Sequence, residues 1–119
     1  MSVHTRSQKL AQAAFTRIAE HGKPDPEFVS FARKFPALIH TCGLAQAVAF
    51  ALAKKRADYV EDLAAVLKAS GHSQVSSADA LHEQTRKQPV GGYLRLSRDT
   101  INAASWLKRY VEARAGEGA

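Results

Sequence analysis

The apolar positions of this chain recur at helical spacing almost from end to end, and no segment alternates with period two. Leu10, Ala11, Ala14, Phe15 and Ile18 form one stripe, with Arg6, Lys9 and Arg17 on roughly the opposite face. This predicts a first helix ended by Gly22, then a turn at Lys23-Pro-Asp-Pro. Residues 27–33 read as a short helix or an irregular bridge, anchored by Phe28 and Phe31. Residues 33–56, RKFPALIHTCGLAQAVAFALAKKR, read as one long helix, with Pro36 in its first turn where the missing N–H is tolerated. On a helical wheel Leu38, Ile39, Cys42, Leu44, Ala45, Val48, Ala49, Phe50, Leu52 and Ala53 point nearly all round, interrupted by His40, Thr41 and Gln46. A helix apolar on every side is either buried in a domain or spans a membrane. Three polar side chains and many weakly apolar alanines favour the buried central helix. Phe50 is then a core residue, and Phe50→Ala should cost about 3–5 kcal/mol.

Downstream, Asp58 can cap a helix whose inward side is Tyr59, Val60, Leu63, Val66 and Leu67, closed by Ser70-Gly71. Residues 72–77 are polar and turn-like, the segment best suited to a mobile loop. Ser77 caps a further helix to Lys87 with a thin stripe of Ala78, Leu81 and Thr85, broken by Gln88-Pro-Val-Gly-Gly. A final helix starts at Val90 or Ser97 and ends near Arg114, with Ile101, Ala104, Leu107 and Val111 inward and a frayed tail from about residue 115. The expected fold is all-α: residues 1–119 as a single compact bundle of about five or six helices around a central buried helix.

Charge changes the picture. Against 11 Asp+Glu stand 17 Lys+Arg, a net charge of +6, which suits a polyanionic partner or a merely soluble basic surface. One cysteine, Cys42, allows no internal disulfide, and no apolar signal core follows the first residues, so the chain reads as cytoplasmic. The cations gather in three places. Arg98, Asn102, Ser105 and Arg109 fall four, three and four residues apart, so they line one helix face, with Arg95 and Lys108 near it. Such a face can bind successive phosphates or simply be solvated, and Glu112 close by supports the second reading. Lys54, Lys55 and Arg56 sit at a helix C-terminus, which the macrodipole favours whatever their role. Arg33 and Lys34 sit at the opposite end of the same expected helix, where the dipole disfavours them, and so lean towards function.

Catalytic chemistry is not indicated. The chain has no Walker loop, nucleophile elbow or carboxylate cluster for a divalent metal, and no cofactor is implied. His40 and Cys42 point about 200° apart on a helix, so they do not form a zinc site. Asp58, Glu61 and Asp62 stand at a helix start, where acids are expected structurally. Trp106 and Tyr110 are four residues apart and could stack bases, although aromatics at that spacing are more often core.

Two segments carry a family resemblance. Lys34-Phe-Pro-Ala-Leu-Ile, then Cys42-Gly-Leu-Ala-Gln-Ala, then Ala49-Phe, resemble the small subunit of the Cmr-type (type III-B) CRISPR effector complex. The segment Tyr93-Leu-Arg-Leu-Ser-Arg with Trp106-Leu-Lys-Arg-Tyr-Val-Glu-Ala looks like that family's last helix. The resemblance implies a non-catalytic helical subunit stacked in a few copies along the effector, in contact with the large and backbone subunits and with guide and target RNA. It implies no membrane partner and a monomer when isolated. On this reading Arg33, Lys34, Lys54, Lys55, Arg56, Arg95, Arg98, Lys108 and Arg109 are the candidates for RNA phosphate, without base reading. Two rivals stand beside it. One is a stand-alone DNA-binding regulator using residues 67–77 as a helix-turn-helix; the other is a helical protein adaptor with an incidental basic surface.

Overall fold

Thr5 accepts the Gln8 N–H at 3.0 Å while the Gln8 side chain accepts the Thr5 N–H at 2.8 Å. This reciprocal cap starts α1 (Arg6–Glu20) in a computed structural model that describes residues 4–116. Leu10, Ala14 and Ile18 are buried as the stripe requires, but Phe15 at its margin is 54% exposed. Helix α2 (Pro26–Cys42) begins where Asp25 accepts the Phe28 N–H at 2.8 Å, with Pro26 in the first turn. Residues 27–33 are therefore neither a separate helix nor a bridge. Pro36 lies inside α2 rather than at its start, so the Ala32 carbonyl loses its helical partner.

The long helix expected over residues 33–56 is two helices. Gly43 adopts φ 86 and ψ 162, a conformation closed to residues with a Cβ, and separates α2 from α3 (Leu44–Ala53). The Tyr93 hydroxyl accepts the Ala45 N–H at 3.0 Å and so satisfies part of the α3 N-terminus. Only one side of α3 is buried, through Leu44, Ala47, Val48 and Ala51, and Phe50 is 43% exposed. The central buried helix is instead α4 (Ala57–Ala69), which buries Tyr59, Val60, Asp62, Leu63, Ala64, Val66 and Leu67. Alanine explains the discrepancy. It makes residues 44–53 look apolar all round, yet it has so little surface that exposing it costs little. The large side chains of α4 need enclosure, and α1, α3, α5 and α6, with the α2 aromatics around Tyr59, supply it.

The 70–77 connection is anchored. Its Val75 is buried, its His72 reaches Asp99 at 2.7 Å, and the Val75 N–H bonds back to the His72 carbonyl at 3.0 Å. Helix α5 (Ala78–Lys87) is capped by Ser77 and buries Ala78, Leu81 and Thr85. Helix α6 (Val90–Gly116) starts at the earlier of the two expected positions and buries Ala104, Leu107 and Val111, with Ile101 half-buried. The expected frayed tail lies, from residue 117 onward, outside the described residues. Twenty-six buried apolar side chains form one cluster inside a flattened body of 45 × 43 × 22 Å. Among the described residues no helix is long and apolar enough to cross a membrane.

Candidate nucleic-acid interface

Because the chain reverses at Gly43, α3 folds back along α2 and brings together cations that one continuous helix would hold at opposite ends. Phe31 of α2 and Phe50 of α3 lie 6.5 Å apart with their rings parallel to within 7°. Beside them a groove of about 300 Å³ is lined by Phe31, Lys34, Phe35, Leu38, Thr41 and Phe50. The Lys54 ammonium stands 5.5 Å over the Phe50 ring. Lys34, Lys54 and Lys55 are exposed, and among the described residues none of them has a carboxylate partner.

The end of α3 is built in an uncommon way. The Arg56 N–H bonds to the Ala51 carbonyl at 2.9 Å and the Lys55 N–H to the Leu52 carbonyl at 3.1 Å. This is the Schellman arrangement, whose left-handed position is usually glycine. Here Lys55 occupies it with φ 61. An L-residue there costs about 1 kcal/mol against glycine. Lys54 and Lys55 are both exposed at this helix end.

The other candidate cations are placed differently. Arg33 pairs with Glu112 of α6 at 2.9 Å and lies mid-helix, so the dipole argument for it does not apply. Arg56 turns inward, its guanidinium 5.9 Å from the Phe28 ring centre and 3.7 Å from Asp58, with a side chain only 21% exposed. On α6, Arg98, Asn102 and Arg109 are exposed and Ser105 is half-buried, so the stripe forms one face. Arg98 lies 3.9 Å from Asp99 and Arg109 packs 5.3 Å from the Trp106 ring centre. Arg95 is exposed beside the 71–75 connection, and Lys108 is half-buried. None of these α6 side chains lines the α2–α3 groove.

Two buried carboxylates hold further charges in structural roles that spacing alone does not reveal. Asp62 of α4 is 1% exposed and takes Arg17 at 2.9 Å and His21 at 2.8 Å from α1. Burial pushes its carboxyl above the usual carboxylate range, and the hydrogen bonds and charges of His21 and Arg17 pull the other way. Asp99 of α6 takes His72 at 2.7 Å and Arg6 at 3.4 Å. A signal for both does exist in the chain. Asp62 stands three residues after Tyr59 and four before Val66, and Asp99 three after Leu96 and four before Ala103, all inward positions. Asp62 is thus a core anchor rather than a helix-start acid. Glu61 caps α5 by accepting the Ala78 N–H.

Trp106 and Tyr110 stack at 5.8 Å and are half-buried, with exposed Phe15 edge-on to Tyr110 at 5.6 Å. Cys42 is half-buried and its Sγ bonds to the Leu38 carbonyl at 3.1 Å, while His40 is exposed.

The chain as a whole is similar to known proteins in sequence and fold. Residues 6–114 match the family described as CRISPR-associated protein (Cas_Cmr5). The chain is 34% identical over 116 residues to "CRISPR system Cmr subunit Cmr5" of Thermus thermophilus, covering 93% of this chain and 96% of that protein. A crystal structure of a CRISPR-associated Cmr5 family protein from Thermus thermophilus superposes with a TM-score of 0.81 at 34% identity. That match spans 92% of this chain and 97% of the other.

Proposed function

This chain belongs to the Cmr5 family of CRISPR-associated proteins, and from that premise we propose that it is the small subunit of a type III-B Cmr ribonucleoprotein complex. In this role it is a non-catalytic cytoplasmic component, monomeric when isolated. It stacks in a few copies along the filament and neutralises the backbone phosphates of guide and target RNA. The large and backbone subunits are its protein partners. The observation that carries the RNA assignment is the convergence on Phe50, at the α2–α3 groove, of Lys34 and Lys54, neither with a carboxylate partner among the described residues, with exposed Lys55 next in the chain. Lysines without carboxylate partners remain available to phosphate, whereas Arg6, Arg17 and Arg56 are engaged with carboxylates of the fold. Arg98 and Arg109, with Arg95 and Lys108, give α6 a second basic face that a strand following the filament can use.

The DNA-regulator alternative finds less support. A helix-turn-helix presents the N-terminus of its second helix to base edges. Here the α5 N-terminus is already closed by Ser77 and by the Glu61 carboxylate. An acid at that position repels the phosphates that such a helix must approach. The test is a tagged purification from native cells at moderate salt, with proteins identified and nucleic acid sequenced. A multi-subunit particle carrying short RNAs with a common repeat-derived end is the expected result. A chain recovered alone, or with duplex genomic fragments, overturns the assignment.

A further inference from the structure

From the groove between α2 and α3 we propose a nucleobase site: one unpaired base of a single strand stacks on Phe50, and the lysines around it hold the flanking phosphates. The proposal rests on the reading of this chain as an RNA-binding subunit and adds base contact to it. Four observations carry it. Phe50 is a large aromatic left 43% exposed on a helix whose other large apolar side chains are buried or half-buried. Its ring is parallel to Phe31, so the two helices present aromatic surface in one orientation, as stacking requires. The adjoining groove, at about 300 Å³, is at the small end of ligand sites. The cations near the ring, Lys34 and Lys54, lack carboxylate partners.

Charge selects the occupant. An apolar side chain from another protein would fill the groove equally well, but it would bury or strand the ammonium groups at the rim. A nucleotide supplies a π-face for Phe50 and anionic oxygens for the lysines at the same time. In the free chain Lys54 covers the Phe50 ring. A base that takes its place moves the ammonium outward towards phosphate. Lys55, the next residue, is exposed at the same helix end and adds a third cation there. The contact is sequence-tolerant, since every base offers a π-face.

The experiment compares two single-stranded RNA probes of equal length and charge, twelve-residue oligoadenylate and its abasic counterpart, at about 50 mM salt where phosphate contacts are strong. Wild type should bind the base-bearing strand about tenfold more tightly than the abasic one. Phe50→Leu should erase that preference while keeping the salt slope, and Phe50→Trp should keep the preference. Lys34→Ala/Lys54→Ala/Lys55→Ala should weaken both strands and flatten the salt slope. Equal binding of the two strands by wild type, with the lysine variant still weakened, overturns the base site and leaves the phosphate reading standing. If wild type binds neither strand, both readings fall. If Phe50→Leu leaves both affinities intact but lowers recovery with the other complex subunits, the groove is a protein interface and the proposal is wrong.

Discussion

Helices α3 and α4 end with the same hydrogen-bond pattern and different residues at its critical point. At the end of α4 the His72 N–H bonds to the Leu67 carbonyl at 3.0 Å and the Gly71 N–H to the Lys68 carbonyl at 3.2 Å. Gly71 takes the positive-φ position there, as steric considerations favour. At the end of α3 the same two bonds form around Lys55. The bodies of the helices differ in parallel. Helix α4 is enclosed, with Tyr59 ringed by Phe28, Phe31 and Phe35 and with its buried acid neutralised from α1. Helix α3 buries one side and leaves Phe50 and two lysines at the surface. Where only stability is at stake the chain uses the unstrained residue. Where it uses the strained one, the residue is a cation beside an exposed aromatic. Strain retained beside an exposed aromatic is the kind of feature from which the functional role proposed above is argued.

The largest effect should separate the two bodies. Tyr59→Ala is expected to cost about 3–5 kcal/mol, because it empties the centre of the aromatic cluster. Phe50→Ala, half in solvent, should cost only about 1 kcal/mol. Urea denaturation of both variants decides it; equal losses would mean that α3 is as enclosed as α4. Next come the caps. Lys55→Gly should stabilise the fold by about 1 kcal/mol, and Gly71→Lys should destabilise it by about 1–2 kcal/mol. The midpoints should therefore move in opposite directions, and a loss of stability in Lys55→Gly would show that the lysine is not strained. The former variant should also bind RNA more weakly, despite being more stable.

The smallest expected effect is a pH dependence centred on Asp62 of α4. Burial raises the Asp62 carboxyl, so the folded chain holds that proton more tightly than the unfolded chain does. This contribution is present at acid pH and is lost as pH rises through the folded value. Wild type should thus gain stability relative to Asp62→Asn on acidification from neutral towards the ordinary Asp range. Melting temperatures across that range test it, and parallel curves would contradict it.

Much of the fold was legible because large apolar residues announce their faces. Leu10, Ala14 and Ile18 in α1, Tyr59 to Leu67 in α4, and Ala78, Leu81 and Thr85 in α5 all lie where periodicity puts them. The break at Gly43 was not legible, since a glycine within an alanine-rich apolar run reads equally well as a tolerated helix residue. That single backbone choice also hid the site. With one helix over residues 33–56, Lys34 and Lys54 lie about 30 Å apart at 1.5 Å per residue. With the reversal, both stand beside Phe50. The roles of Arg17 and Arg56 were equally hidden, because pairing with Asp62 and packing on Phe28 depend on which helices become neighbours.

The claim that the α2–α3 rim meets RNA backbone is tested most directly by the salt dependence of RNA binding in the assembled complex. Wild-type subunit should be compared with Lys34→Glu/Lys54→Glu/Lys55→Glu. Loss of three single-strand phosphate contacts should reduce the magnitude of the log–log slope by about 2, with helicity and melting preserved. An unchanged slope and affinity in a complex that still contains the variant would contradict the account.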